Sequence, residues 1–153
     1  KTQTLLLMEA VQKIKNPKVK LIVFGSITTD LKEKVNALAD GEKVQSIGWI
    51  QAKDSYQYFA AADLVVFPGR HSVFWEQVAA QGIPMLCKKW DGTTHVDVGG
   101  NVRFLEKDSA DEIQVAIEEL LNQPEKYQQM KRVAAERGKR TFLYSDIAKR
   151  CIS

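Results

Sequence analysis

Residues 63–86 read DLVVFPGRHSVFWEQVAAQGIPML. A short apolar run, 63–67, stops at Pro68-Gly69. After the polar turn at 68–72 comes a helical stretch over 72–81, which places Phe74, Trp75, Val78 and Ala79 toward a core. Gly82 is suited to end that helix in a left-handed cap, and a second apolar run begins at Ile83. Strand, turn, helix and strand within so short a span predict a parallel βαβ unit.

The same alternation extends in both directions. Upstream, the spacing predicts a helix over 2–15 stopped by Asn16-Pro17, with Leu5, Leu6, Met8, Glu9 and Ile14 at helical intervals. VKLIVFG, 19–25, reads as a strand buried on both faces. A polar helix over 28–40, a strand over 44–48 and a helix over 53–62 lead into the opening stretch. Downstream, strands over 83–88 and 101–105 flank a Gly- and Thr-rich loop, and helices are expected over 109–121 and from Pro124 to about 143. The fold class predicted is α/β, one domain over 1–153 with a doubly wound, Rossmann-like parallel sheet.

Bulk properties narrow the function classes. The 153 residues are 44% hydrophobic and 27% charged, with a formal net charge of +3, too mild a balance to point to nucleic acid. No apolar run approaches the ~18 residues of a membrane span, and Glu9 interrupts the N-terminal LLLMEAV, which lacks a signal-peptide cleavage site. Cys87 and Cys151 are too few for a disulfide framework or a zinc site, so reduced thiols and a cytoplasmic setting are expected. The tail from Asn122 to Ser153 has eight Lys/Arg against three acids, which suits either an anionic membrane surface or a solvated helix face.

In a doubly wound sheet, ligands sit beyond the C-terminal strand ends. That directs attention to Gly25-Ser26, to Gly48–Gln51, to Pro68–Ser72 and to Lys88–His95. Gly69 permits close approach of a ligand, and Ser72 is a natural N-cap. The amides of Ser72, Val73 and Phe74 would then face a phosphate with the positive end of the helix dipole. A plain βα turn with a serine cap fits the same residues. Glu76 sits near the head of an otherwise core-like helix. It either complements the dipole, worth ~0.3–1 kcal/mol, or accepts hydrogen bonds from the hydroxyls of a ribose. Arg70 and His71 are the cations placed to stabilise a departing diphosphate. LIVFGSITTD lacks the G-x-G-x-x-G fingerprint of a dinucleotide site. The loop WDGTTHVD, 90–97, is either a second wall of the crevice or a solvated connection.

Taken in order, Asp63, Pro68, Glu76, Ala79, Gly82 and Pro84, with Leu6, Leu7 and Ala10 upstream and then VKLIVFG and VQSIGWI, resemble the C-terminal half of retaining GT-B glycosyltransferases. The resemblance is to the Glu-x7-Glu family (group 1, family 4-like) and spans the whole chain. Pro68 and Glu76 lie eight positions apart, closer than in the family, so the first glutamate of the pair is missing and Arg70-His71-Ser72 stands in its place. Lys1 aligns with the lysine that follows the family's opening strand. That strand, central to the sheet, is therefore expected to be absent, and either the sequence begins beyond it or the sheet closes without it.

The resemblance implies a nucleotide-sugar donor, UDP- or GDP-linked, as a substrate, with no separate cofactor and no essential metal. It assigns ribose binding to Glu76, the base to the neighbourhood of Trp49 and Ile50, and the diphosphate to Gly69, Ser72, Val73 and Phe74. Gly25-Ser26 would form the opposite wall, with Lys1, Arg70 and His71 offsetting charge. It further implies transfer with retention to a glycan or lipid-linked acceptor held by an N-terminal half, in bacterial capsule or other envelope polysaccharide synthesis. Peripheral membrane contact fits that setting, and nucleic acid is not an expected partner. Two other readings stay open: a GT-B nucleotide-sugar epimerase, and a non-catalytic flavodoxin-like or regulator-like binding domain.

Overall fold

The structure, a computed structural model, describes residues 2–24, 29–48, 50–92 and 94–138. Helices and strands alternate as α1 (Thr2–Lys13), β1 (Leu21–Phe24), α2 (Thr29–Leu38), β2 (Val44–Gly48), α3 (Ala52–Ala61), β3 (Val65–Phe67), α4 (Val73–Gln81) and β4 (Met85–Lys88). A 3-10 turn (Thr94–Val96), β5 (Val102–Leu105), α5 (Ala110–Asn122) and α6 (Pro124–Val133) follow. The helix predicted to run from Pro124 to about 143 is α-helical to Val133 and then widens into a π segment, Ala134–Gly138. Its last expected turn lies outside the described residues.

All strand pairing is parallel, as expected of βαβ units. The strands form two ladders rather than one: β1 with β2, and β3-β4-β5. Leu21 lies opposite Val44, Val65 opposite Met85, and Met85 opposite Val102. Among the described residues no ladder joins β1 to β3, and side chains connect the two sheets instead. Leu21 and Val23 of β1 pack into the same apolar cluster as Val66 of β3. On the other face, Phe59 of α3 lies 5.5 Å from Phe24 of β1 and 6.2 Å from Phe67 of β3, ring centre to ring centre.

Alternation along β4 fixes the two core layers. Leu86 faces a cluster built from Leu5, Met8 and Val11 of α1 and Ile113, Ala116 and Leu120 of α5. Met85 and Cys87 face the opposite cluster, with Phe59 of α3 and Trp75, Val78 and Ala79 of α4. A strand flanked on both sides by paired strands and covered on both faces is buried throughout, which is why MLCK contains no exposed position. β1 was expected to be equally buried and is not. Among the described residues it is paired on one side only, and Ile22 is 50% exposed.

The turn into β2 depends on one acid. Asp40 Oδ1 accepts hydrogen bonds from the amides of Glu42, Lys43 and Val44 at 2.9, 2.8 and 3.0 Å. The amides of Val44 and Glu42 favour the carboxylate most, and its pKa falls from 3.8 to about 2. A depressed acid pKa contributes stability that is present above the unfolded value and lost as pH falls through the folded one. Asp40→Ala is therefore expected to be less stable than wild type at neutral pH, with the difference closing between about pH 4 and about pH 2. Denaturant melts across that range check this, and a constant difference would refute it.

Candidate functional site

α4 begins as the sequence predicts. Ser72 is the N-cap, and its Oγ accepts the Phe74 amide at 3.3 Å. Gly82, at φ 77°, closes the helix with its amide on Ala79 and Val78 carbonyls. Because Ser72 already engages Phe74 N–H, that amide is not available to a phosphate unless the cap yields. Gly69 does not need a left-handed conformation, and a Cβ there would meet only Gln3 Oε1 at 4.0 Å. Space for a ligand, rather than backbone geometry, is what glycine provides at this position.

The chemistry gathers around Glu76. Trp75, its neighbour, is fully buried and stacks on Phe67 at 5.9 Å, which holds the first turn of α4 against β3. The Glu76 side chain emerges beside that anchor, one-third exposed. Its Oε1 is 2.7 Å from His71 Nε2 and 2.8 Å from His95 Nε2. Its Oε2 is buried, with no hydrogen-bond partner among the described residues. Partial burial alone would raise the Glu76 pKa. The hydrogen bonds from His95 and His71 outweigh it, and the carboxyl is held below its usual range. By the linkage sign, this contribution is present at neutral pH and lost as pH falls through the depressed value. The same negative charge, added to burial, pushes the Cys87 thiol up and leaves it un-ionised and inert.

Each histidine is placed by a different device. His71 precedes the Ser72 cap and sets its ring edge-on to Trp75 at 5.0 Å. His95 lies in the 3-10 turn just before Val96, which is fully buried. Asn101, also fully buried, fastens this turn: its Oδ1 accepts Val98 N–H at 2.8 Å and its Nδ2 donates to Val96 O at 3.0 Å. Asp97 Oδ1 accepts the amide of Gly100 at 2.8 Å, and Gly99 and Gly100 both take positive φ. A third link joins the two loops, where Trp90 Nε1 donates to Gly69 O at 3.0 Å.

Of the residues expected at a ligand site, the structure thus brings Gly69, His71, Ser72 and Glu76 together, with Phe74 on the same helix. Arg70 is exposed on the same turn. Ile50 lines a different feature, a groove of about 440 Å³ formed with Asp54, Gln57, Tyr58 and Ala61. Lys88 is turned toward Asp108 at 2.8 Å. Lys1, Gly25, Ser26 and Trp49 lie outside the described residues, and of Val73 only the backbone is described. Neither His95 nor Asn101 stands out from the sequence as a site residue. The signal available was the loop after β4, already at the right sheet edge and ending in the turn-prone Asp97–Asn101.

A family model for glycosyl transferases, group 1, matches residues 3–137. The chain belongs to that family. No match to a curated protein sequence was found. Solved structures similar to this group 1 chain include Anabaena HepE in complex with UDP and glucose, at TM-score 0.70 and 18% identity, covering 97% of this chain and 44% of that one. A putative UDP-N-acetylglucosamine 2-epimerase from Listeria monocytogenes gives TM-score 0.73 at 18% identity, over 86% of this chain and 35% of that one. The catalytic domain of the cholesterol-α-glucosyltransferase from Helicobacter pylori gives TM-score 0.69 at 15% identity, over 90% and 89%. At such identities the likeness establishes a shared fold, the Rossmann-like α/β fold of GT-B glycosyltransferases. The group 1 chain spans less than half the length of HepE and of the epimerase.

Proposed function

We propose that this chain is the donor-binding half of a glycosyltransferase that moves a sugar from a nucleotide-sugar to a glycan or lipid-linked acceptor. The observation that carries the reading is Glu76, a carboxylate at the head of an otherwise apolar helix, at the C-terminal strand edge. One oxygen is held by two imidazoles and the other has no protein partner among the described residues. A ribose diol matches such a carboxylate, since each hydroxyl donates one hydrogen bond to it. The diphosphate would lie across Gly69 and the head of α4, with His71 and Arg70 offsetting its charge.

UDP is the nucleotide favoured, because HepE, a structure similar to this chain, is in complex with UDP and glucose. Transfer with retention, without a catalytic metal or separate cofactor, and an acceptor held by a second half complete the proposal. So does a role in envelope polysaccharide synthesis at the cytoplasmic side. No helix among the described residues is long and apolar enough to cross a membrane.

Calorimetric titration with UDP, GDP, CMP and NAD tests the donor site. One nucleoside diphosphate should bind, and at a hundredfold excess over its Kd it should add about 2.7 kcal/mol of stability. Binding of NAD alone, or of none of the four, would overturn the reading. The Listeria neighbour supports a second possibility, a nucleotide-sugar epimerase. Product analysis separates the two: an epimerase releases an altered sugar nucleotide without consuming an acceptor.

A further inference from the structure

We propose that His71, Glu76 and His95 form a binding site for a divalent transition-metal ion of the zinc type, and that the ion competes with the nucleotide for Glu76. Three separate segments deliver these groups: the turn before α4, α4 itself, and the 3-10 turn after β4. One potential ligand atom from each lies within 4.8 Å of the other two. Both imidazoles aim Nε2 at the same carboxylate oxygen, at 2.7 and 2.8 Å, with ring centres 5.8 Å apart.

In the hydrogen-bonded form each ring carries its proton on Nε2. Moving that proton to Nδ1 leaves the ring neutral and turns the Nε2 lone pair toward the centre of the cluster, where a metal needs it. Ligand atoms about 2.0–2.1 Å from a tetrahedral zinc stand roughly 3.4 Å apart, so each imidazole must draw back from the carboxylate oxygen by about half an ångström. The two histidines can supply that movement, because both lie in loops with side chains 33% and 48% exposed. Glu76 is fixed by its helix.

The donor set selects the ion. Two imidazoles and one carboxylate suit zinc, cobalt or nickel, whereas magnesium and calcium prefer oxygen ligands throughout. Three protein ligands with a solvent-facing fourth position describe an exchangeable site rather than a closed structural one. Glu76 Oε2, buried and unpartnered among the described residues, offers a further oxygen to the ion. The metal site itself stands apart from donor binding, whereas the competition rests on the reading of Glu76 as the ribose carboxylate. An ion held by Glu76 occupies the carboxylate assigned to ribose, so it would act as an inhibitor and not as a participant in transfer.

The test uses protein first freed of metal by a chelator, titrated with zinc by calorimetry and with cobalt by visible absorption. One ion per chain should bind with the spectrum of nitrogen and oxygen ligation, and magnesium should give no comparable binding. His71→Ala and His95→Ala should each weaken zinc binding by about tenfold or more while keeping wild-type circular dichroism. Zinc should also raise the apparent Kd for the nucleotide. Absence of zinc binding, wild-type affinity in both histidine variants, or a spectrum dominated by cysteine thiolate would overturn the site. Nucleotide titration with chelator present reports on the donor site alone, so failure of either proposal is visible without the other.

Discussion

Glu76→Gln is expected to lower affinity for the nucleoside diphosphate by about ten- to a hundredfold, the range that follows from losing hydrogen bonds worth ~1.5–3 kcal/mol to a charged acceptor. Glutamine keeps the length and planarity of the side chain, so α4 and the buried Trp75 beside it stay in place. What it loses is the charge and one acceptor. His71 and His95 then face a neutral amide, whose oxygen can still accept from both rings but more weakly than the carboxylate does. Two measurements separate cause from collapse: calorimetry for the nucleotide and thermal melting for the fold. Unchanged affinity would remove Glu76 from the donor site. A melt that falls as steeply as the affinity would show the acid to be structural. The acid limb carries a third reading, because the depressed Glu76 pKa contributes stability that glutamine lacks. The pH at which stability declines should therefore shift in the variant.

Asn101→Leu is expected to have the largest effect on stability. The side chain is fully buried, and leucine has the same branching with larger terminal groups, so no cavity forms and some crowding is added. The main loss is in hydrogen bonding, since the buried Val96 C=O and the half-buried Val98 N–H each forfeit their partner. At ~1–3 kcal/mol per stranded group the cost is about 2–6 kcal/mol. For a chain of this size that corresponds to a melting temperature lower by roughly 5–20 °C. The functional consequence is local. Val96 anchors the turn that carries His95, so releasing it should loosen the hydrogen bond from His95 to Glu76 before it disturbs the sheets. A melting temperature within about a degree of wild type would show that the turn is held by something other than Asn101.

The two residues differ in how visible they are from sequence, for a physical reason. Glu76 interrupts an apolar helical pattern whose period fixes which face is buried, so an acid there is conspicuous from the pattern alone. The strand and helix positions are legible on the same grounds, as are the cap at Ser72 and the stop at Gly82. His95 lies in a segment without periodicity, and its proximity to Glu76 arises from a long-range meeting of two loops. Asn101 looks like an ordinary residue at a strand start, and only its burial shows that it closes a turn. The exposed face of β1 is also illegible: an apolar run does not reveal whether both of its sides will be covered. The pairing partners of each strand decide that.

The division of the strands into two ladders has a consequence for how the molecule opens. Among the described residues the seam between β1 and β3 is bridged by rings and aliphatic side chains, not by main-chain hydrogen bonds. Local excursions can therefore separate along that seam without breaking a ladder. Glu76, His71, His95 and Asn101 all belong to the chain segment that builds the three-stranded block. The β1–α2–β2 block can loosen, and its amides exchange with solvent, while the carboxylate and its two imidazoles keep their spacing. The cluster proposed to bind ligands and the seam expected to open thus lie in different parts of the chain.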